Sequence, residues 1–333
     1  MKDDQKNFFQ LSPAKILDAV EAAMSREKPR IRATGRAIAL NSLENRVYQI
    51  EFEDSSEVVA KFYRPGRWSE DQILDEHEFL DLLKENEIPV VSPYSLASSS
   101  HYLDSQNDTL MKLRDGIFFA VFPRVRGRLR DELQDSQLET LGRYLARVHE
   151  LGSSWQAEHR QSIDSDFYLK DPLIELERSG FLNTAMGKRY FQMAEDFYRA
   201  ARPRLQAAPK VTLHGDCHLG NVLWQDEAAF LMDFDDMMLA PRVQDLWMVV
   251  RGRDESALKA REAFIRGYEQ MSNFPYEELS LIECLRGVRV IYYSSWIAKR
   301  WADPAFPLAF PSFSSETYWR SEIEALSEIL ELL

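Results

Sequence analysis

One short stretch of the chain carries three oxygen-bearing side chains at spacings that suit phosphate chemistry. Asp216 lies five residues before Asn221, and Asp233 follows after two short apolar runs. A carboxylate can orient a hydroxyl and accept its proton, while an amide oxygen and a second carboxylate can bind Mg²⁺ beside substrate phosphates. Phosphoryl transfer needs these parts, so the stretch predicts Asp216 as a catalytic base and Asn221 and Asp233 as metal ligands. A turn cap or a solvated strand end would explain one such aspartate, but not the ordered set.

A tight β-hairpin is the simplest structure for the residues that join Asn221 to Asp233. Two apolar runs, Val222–Trp224 and Phe230–Met232, flank the polar turn Gln225–Glu227. A hairpin centred on the last residue of this turn places Asn221 opposite Asp233. Both oxygen donors would then face one cation at the open end of the hairpin.

The loop that carries Asp216 also contains Cys217 and His218. We expect Cys217 to be a buried or neutral loop residue, because no base and orienting carboxylate indicate a thiol triad. His218 suits a contact with the transferring phosphate and a loop-stabilising hydrogen bond equally well.

A lysine inside an apolar strand is the second chemical feature. The run Val58–Phe62 places Lys61 among residues expected to be buried, where an ammonium group needs a charge partner. The following helix offers Glu76 and Glu78, and we favour Glu76. Such an ion pair would hold the lysine against the α- and β-phosphates of a nucleotide. A lysine on an edge strand that extends to water is the alternative.

The elements that position these residues begin with a β-rich region. Ser12 is expected to cap a first helix, and Ser69 with Gln72 forms a capping-box signal for a later one. Alternation and turn signals predict strands over Gly35–Leu40, Arg46–Phe52, Val58–Tyr63 and Ile117–Phe122. Residues 98–107 are polar and turn-rich.

The rest of the chain, apart from the hairpin, is predicted to be helical. Ser136 with Glu139 is a second capping-box signal, and long helices are expected over Ala257–Met271, Tyr276–Lys299 and Ser315–Leu333. We therefore predict an α+β fold. Residues 1–122 would form a nucleotide-binding lobe with a small antiparallel sheet, 123–127 a hinge, and 128–333 a larger, mainly helical lobe for catalysis and substrate.

Composition indicates an ordinary globular protein of 333 residues, with 45% apolar and 29% charged residues. Its 41 Lys and Arg against 54 Asp and Glu give a net charge of −13, which opposes nucleic acid and anionic membranes. No apolar run is long enough for a membrane span, and no apolar signal core follows the first six residues. Two cysteines are too few for a disulfide framework, so we expect a cytoplasmic protein.

These residues together carry a family resemblance. Lys61, Glu76, the segment His214–Asn221 and Asp233 resemble the kinase fold in its aminoglycoside-phosphotransferase branch, whose members carry HGD with Asn five residues later and an Asp-led metal motif. Within that branch, the chain is similar to a group of bacterial stress-response serine/threonine protein kinases. The strings that carry this second resemblance are Asn41–Tyr48, Lys61–Pro65, Phe119–Pro123, Val243–Met248 and Arg300–Pro307.

The resemblance implies a two-lobed, protein-kinase-like fold and an ATP- and Mg²⁺-dependent kinase. Its substrate would be a protein Ser/Thr hydroxyl, including its own, in a cytoplasmic stress response. By position, Asp216 would be the catalytic base, and Asn221 and Asp233 would be the metal ligands. Lys61 and Glu76 would form the pair that holds the phosphates. Ser42, in the turn between the first two strands, would contact the nucleotide phosphates, although a turn hydroxyl is its simpler role without the resemblance. We expect a monomer with no nucleic-acid or membrane partner.

The chain also departs from the kinase pattern. The turn Ala39–Asn45 contains no glycine, so side chains such as Ser42 and Asn45 would have to replace backbone donors to phosphate. Asp235 stands where a DFG-type motif has glycine, and no Ala-Pro-Glu segment follows. Asp245 suits two roles equally: a brace for the catalytic loop, or a simple carboxylate at a helix N-terminus.

Two other functions stay open. The first is a small-molecule kinase of the choline, homoserine or aminoglycoside type, since the net charge and acidic residues such as Glu277, Glu278 and Glu283 suit a cationic acceptor. The second is a nucleotide-binding regulator without turnover, which the missing glycines favour. The joint presence of Asp216, Asn221, Asp233 and Lys61 argues against the regulator, because a non-catalytic binder has no need of the base.

Overall fold

The computed structural model describes residues 8–25, 27–96, 108–182 and 185–333. The chain forms two compact units built from interleaved stretches. The first contains residues up to 133 with 157–159 and 219–236, and the second contains 134–156, 160–218 and 237–333. The predicted lobes 1–122 and 128–333 with their hinge stay a prediction. The turn-rich stretch predicted at 98–107 and the first six residues lie outside the described residues.

A five-stranded antiparallel sheet dominates the first unit. Its strand order is β1-β2-β3-β5-β4. The strands are β1 (Ala33–Ala39), β2 (Arg46–Phe52), β3 (Glu57–Phe62), β4 (Met111–Lys112) and β5 (Phe118–Pro123). The four predicted strands are confirmed to within two residues at each end, and the short β4 was not predicted because two residues carry no alternation.

The core of the first unit lies between this sheet and helix α1 (Pro13–Met24). The Ser12 side chain accepts the Lys15 backbone N–H and caps the helix, as predicted. Along β3, alternate side chains such as Val58 and Phe62 are buried in the core, as expected for a strand with one face covered. Helix α2 (Glu70–Glu85) follows the sheet and begins with the predicted capping box of Ser69 and Gln72.

The predicted hairpin is also present in the first unit, with strands β7 (Val222–Gln225) and β8 (Ala228–Leu231). Its register differs by one residue from the prediction. Asp226 adopts the left-handed backbone conformation in a two-residue turn, which moves the centre of the hairpin toward the N-terminus. The Met232 N–H therefore donates to the Asn221 carbonyl at 3.0 Å, and the predicted pairing of Asn221 with Asp233 is wrong.

The second unit is mainly helical. Its helices are α3 (Asp135–Ser154), α4 (Asp166–Leu169), α5 (Asp171–Ser179), α6 (Ala185–Ala207), α7 (Val243–Val249), α8 (Glu255–Tyr268), α9 (Ile282–Lys299), α10 (Ala305–Ala309) and α11 (Glu316–Leu332). Strands β6 (Val211–Leu213) and β9 (Met238–Ala240) pair antiparallel, so the prediction of helix for everything outside the hairpin is wrong. The predicted helix over Tyr276–Lys299 begins as a separate 3₁₀ segment, Tyr276–Leu281, before α9.

The start of α3 corrects one capping prediction. The helix begins at Asp135, and its capping box joins Gln134 to Gln137 rather than Ser136 to Glu139. The Gln134 N–H donates to the Gln137 side-chain oxygen at 3.0 Å. A glutamine side chain satisfies the first free N–H groups as a glutamate would, so α3 can begin before Ser136.

Helices α3 and α8 cross at very close range. A Cβ atom on Gly142 would lie 2.1 Å from the Phe264 carbonyl oxygen, and one on Gly267 would lie 2.0 Å from that of Glu139. Glycine at both positions lets the two backbones approach each other. The predicted α+β class, with a small antiparallel sheet and a mainly helical remainder, is confirmed. Among the described residues, no helix combines the length and the apolar character that crossing a bilayer requires.

A buried carboxylate in the second unit gives a pH-dependent stability. Burial raises the pKa of Glu322 in α11 from 4.5 to about 7, although a hydrogen bond from Ser294 opposes this rise. The folded state therefore holds a proton that the unfolded chain releases near pH 4.5. Stability contributed by this group falls as pH rises from 4.5 to about 7 and is constant above that range.

We expect Glu322→Gln to stabilise the protein at about pH 8 by more than about 1 kcal/mol, since each pKa unit corresponds to about 1.4 kcal/mol. The gain should shrink toward zero near pH 4.5, where the glutamate is protonated in the folded state. Urea unfolding at both pH values measures the difference. A gain that does not depend on pH would contradict this origin of the effect.

Candidate active site

The predicted lysine–glutamate pair is present in the first unit. The Lys61 Nζ atom lies 3.4 Å from Oε1 of Glu76, and both side chains are buried. Glu78 is exposed on α2, so the preference for Glu76 agrees with the structure. Two aspartates complete the cluster: Nζ lies 3.0 Å from Oδ1 of Asp233 and 3.1 Å from Oδ1 of Asp235.

The electrostatics of this cluster keep the lysine charged. Burial alone would lower the pKa of Lys61, but the carboxylates of Asp233, Asp235 and Glu76 raise it well above its ordinary value. The ammonium group thus offsets several negative charges in a site that excludes much of the water. A cation held in this way can stabilise the negative oxygens of a phosphate group.

Asp233 is the member of the cluster that faces solvent, with 55% of its side chain exposed. It follows β8 and has a φ of +61°, a left-handed conformation that is strained for a residue with a Cβ atom. Residues held in such conformations occur disproportionately at functional sites. The strained backbone directs an accessible carboxylate next to Lys61.

Asp235, by contrast, is an internal anchor. Its side chain lies 2.5 Å from Nη1 of Arg67 and accepts a hydrogen bond from Nδ2 of Asn45 at 3.2 Å. Arg67 also contacts Asp236 at 2.6 Å. These contacts fix the short 3₁₀ segment Phe234–Asp236 at the position where kinases of the DFG type have a mobile glycine. No local sequence pattern indicates this role of Arg67, since Arg67 and Asp236 are 169 residues apart.

The glycine-free turn of the first unit is held by side chains. Arg64 donates from Nε to the Glu44 carbonyl at 2.8 Å and from Nη2 to the Leu43 carbonyl at 3.0 Å. The exposed Ser42 hydroxyl accepts the Asn45 N–H at 3.3 Å, which is the turn role. Buried Asn45 contacts Asp235 and Arg64 rather than a surface ligand, so the expectation that its amide faces phosphate is not supported. The phosphate contact of Ser42 stays a prediction.

The open end of the hairpin carries the two residues predicted as metal ligands, Asn221 and Asp233. Asn221 ends a 3₁₀ turn, Leu219–Asn221, and its backbone joins Met232, the residue before Asp233. The donor set is one amide and one accessible carboxylate, and Mg²⁺ is commonly bound by one or two protein oxygens with substrate phosphates. Within the described ranges, no group of three or more His, Cys, Asp or Glu residues forms a protein-only metal site.

Asp216 lies in the second unit, in the loop after β6. Its Oδ1 atom is 2.7 Å from Nη1 of Arg289, which extends from α9. The Nε2 atom of His218 lies 3.6 Å from its other carboxylate oxygen. Burial lowers the pKa of His218 below its ordinary value, in spite of the nearby Asp216. Cys217 is buried, as predicted, and burial raises the pKa of its thiol well above the usual value.

Asp245 braces the loop that carries Asp216. The side chain of Asp245 is fully buried in α7 and accepts the backbone N–H groups of His214 at 3.1 Å and Gly215 at 2.9 Å. It also contacts Nε2 of His149 at 3.1 Å. Of the two roles that the sequence left open, the structure therefore supports the brace.

We expect Asp245→Asn to lower kcat at least about tenfold while the KM for ATP changes little, because an amide presents a hydrogen-bond donor to one of the two N–H groups that Asp245 accepts. Steady-state kinetics with purified protein measures both constants. Asp254→Asn, which keeps an N-cap on α8 away from this loop, is the matched control. An unchanged kcat in Asp245→Asn would remove the brace from the mechanism.

Comparison with known proteins relates the whole chain to kinases. Residues 36–282 match the phosphotransferase enzyme family, APH. Stress response kinase A of Escherichia coli strain K12 is 37% identical over 334 residues, which covers 100% of this chain and 97% of that protein. The serine/threonine protein kinase RdoA of Salmonella typhimurium is 36% identical over 335 residues, with the same coverage.

Solved structures show the same fold at low sequence identity. The amicoumacin kinase hAmiN, in complex with AMP-PNP, Ca²⁺ and Ami, has a TM-score of 0.66 at 18% identity and covers 87% of this chain and 90% of its own. A microcompartment-associated aminopropanol kinase has a TM-score of 0.62 at 18% identity, covering 94% and 95%. The expected kinase-like fold is confirmed.

Proposed function

From the premise that this chain belongs to the phosphotransferase enzyme family and is an ATP-dependent kinase, we propose that it phosphorylates Ser/Thr hydroxyls of proteins, its own included. The observation that carries the proposal is the buried Lys61 ion-paired with Glu76 and in contact with Asp233. Full-length similarity to a serine/threonine protein kinase supports the choice of acceptor.

The proposed reaction is a direct transfer. The acceptor oxygen attacks the γ-phosphorus of ATP, the bond to the β–γ bridging oxygen breaks, and ADP leaves with that electron pair. Asp216 accepts the proton of the acceptor hydroxyl, and Asp245 holds the backbone of the two residues that precede this base. Lys61, fixed by Glu76, holds the α- and β-phosphates, and Ser42 contacts the phosphates from the turn.

Asn221 and Asp233 are the residues that would hold Mg²⁺. When bound, the cation neutralises charge on the phosphate oxygens. Lys61 contacts the Asp233 carboxylate and thereby fixes its orientation before nucleotide binds. The strained backbone of Asp233 supports the same role, since a replacement by glycine would relax it and lose the ligand.

A small-molecule kinase is the second candidate, because the relatives with solved structures include kinases named for amicoumacin and aminopropanol. We further propose a cytoplasmic stress-response role, which rests on the full-length similarity to stress response kinase A. We propose that the protein acts as a monomer. We also propose that it binds no nucleic acid or membrane, because its net charge of −13 opposes contact with both of these anionic partners.

Transfer of label from [γ-³²P]ATP in the presence of Mg²⁺ separates the candidates. We expect label on the protein itself and on Ser-containing peptides, and no transfer when Mg²⁺ is removed by a chelator. Label that appears only on added aminoalcohols or aminoglycosides would favour the second candidate. Phosphoamino-acid analysis of labelled protein identifies the accepting side chain.

A further inference from the structure

Five arginines lie close together in the second unit, on α8, on α9 and in the loop between α7 and α8, and two of them interact with Asp216. They are Arg251, Arg253, Arg261, Arg286 and Arg289. Four of them contact described protein groups through their guanidinium. Arg251 differs, because its guanidinium forms no ion pair or hydrogen bond with any residue in the described part of the chain.

The loop that carries Arg251 is fixed by the other arginines. Nη2 of Arg286 donates to the Arg251 carbonyl at 2.8 Å, and Nη2 of Arg261 donates to the Gly252 carbonyl at 2.6 Å. Arg253 binds Glu283 through two of its nitrogens, at 3.0 and 2.5 Å. Three anchors on three successive residues hold this loop in one conformation. The loop therefore presents the Arg251 side chain from a rigid base.

Arg251 lies within electrostatic range of the proposed base. Burial lowers the pKa of Arg251, and Arg289 lowers it further, while Asp216 and Tyr293 raise it. The guanidinium stays charged near neutral pH, because arginine does not lose its proton in proteins. It is partly removed from water, yet the residue remains exposed to an incoming ligand. A cation in this setting gains from an anionic partner.

Arg289 adds a second cation beside the base. Its guanidinium contacts Asp216 and lies 6.0 Å from the ring centroid of Tyr293, one turn further along α9. Two arginines and the exposed Tyr293 thus lie near Asp216.

Two of the three acidic residues that would suit a cationic acceptor are already paired within the protein. Glu283 binds Arg253 and Arg286, and buried Glu278 accepts the Val243 N–H at 3.0 Å. Glu277 is exposed on the 3₁₀ segment as a solvated carboxylate. The arginines that interact with Asp216 are Arg289 and Arg251, although the whole chain has a net charge of −13.

We propose that Arg251 and Arg289 form an anion-binding subsite beside Asp216, which selects acceptor segments with Asp or Glu next to the Ser or Thr. This inference rests on the proposed function and names its substrate class. The overall negative charge acts at long range and slows the approach of acidic partners, whereas close contacts decide which sequence is bound in register. Arg251 is the specificity residue, and Arg289 also positions Asp216.

Three peptides test the subsite: one Ser flanked by Asp and Glu, by Asn and Gln, or by Lys and Arg, in otherwise identical sequences. We expect the wild-type protein to have a kcat/KM at least about tenfold higher for the acidic than for the basic peptide, because a hydrogen bond between ionised partners contributes about that factor. Arg251→Gln should lower the ratio of acidic to neutral kcat/KM about tenfold. Arg251→Glu should invert the preference.

Arg320→Gln is the matched control, since Arg320 is exposed on α11 and the change in net charge is the same. It should leave the ratio unchanged. If Arg251 instead contacts the phosphates of ATP, Arg251→Gln will lower kcat/KM for all peptides by one factor and raise the KM for ATP, which overturns the subsite.

The two proposals fail in different ways. Peptide phosphorylation by the wild-type protein without any preference for acidic flanks overturns the subsite alone. Label on no peptide and no protein, with label on a small alcohol, overturns the protein-kinase proposal and the acidic-peptide subsite together.

Discussion

Asp216→Ala is expected to lower phosphoryl transfer by about 10²–10⁴-fold, the range in which a positioned general base contributes to rate. The acceptor hydroxyl would then lose the group that orients it and takes its proton. The phosphate-holding residues, Lys61 and Glu76, belong to the other compact unit and are unchanged by this substitution. The affinity for ATP should therefore change by less than about threefold.

The variant Asp216→Asn distinguishes the loss of the base from a change in the shape of the site. Asparagine keeps the size and a hydrogen-bonding oxygen near Arg289 but cannot take the proton, so its loss of activity should approach that of alanine. Asp196→Asn, an exposed aspartate on α6, should retain full activity. Labelled-ATP turnover and nucleotide binding by calorimetry give the two readouts. Normal turnover in either Asp216 variant would remove this residue as the base.

Lys61→Met is expected to abolish ATP-dependent transfer and also to destabilise the fold. Methionine has nearly the same length but leaves Glu76 and Asp235 buried without their ammonium partner. Breaking a buried ion pair from one side costs about 3–5 kcal/mol. Arg67 retains its contact with Asp235, so the cost should fall at the lower end of this range.

A double variant distinguishes the structural from the catalytic effect of Lys61. Adding Glu76→Gln to Lys61→Met removes the uncompensated buried charge and should recover part of the lost stability, while transfer stays abolished. Lys259→Met breaks an exposed pair with Glu255 and should cost less than about 1 kcal/mol. Urea unfolding and labelled-ATP turnover measure the two effects. Full ATP use in Lys61→Met would contradict the phosphate-holding role.

Much of the site follows from local patterns in the sequence. Lys61 occurs in a strand whose neighbours are buried, and burial of an ammonium requires a carboxylate within reach. The helix that follows places Glu76 toward the core and Glu78 toward solvent. The hairpin was predictable for the same reason, since two apolar runs around a polar turn lie close together in the chain. Each of these inferences uses residues fewer than about 20 positions apart, where periodicity carries information.

Some predictions failed because the sequence pattern was too short, or because several residues could serve the same structural role. Strand β6 has three residues, and so short a run cannot be distinguished from part of a buried helix by its pattern of apolar residues. The register of the hairpin depends on the backbone conformation of a single turn residue, Asp226, and one residue of shift changes the partner of Asn221. The cap of α3 uses two glutamines because more than one polar side chain can satisfy the same free N–H groups.

By itself, the sequence determined the sheet, the hairpin, the lysine–glutamate pair and the order of the three oxygen donors, because each is specified by neighbours along the chain. Only the tertiary structure decided that Asp235 is anchored by Asn45, 190 residues away, and that Asp245 holds the Gly215 backbone. It likewise decided that Arg286 holds the Arg251 carbonyl, 35 residues away. Contacts between distant segments depend on how the elements pack, and the spacing of apolar residues along the chain does not predict them.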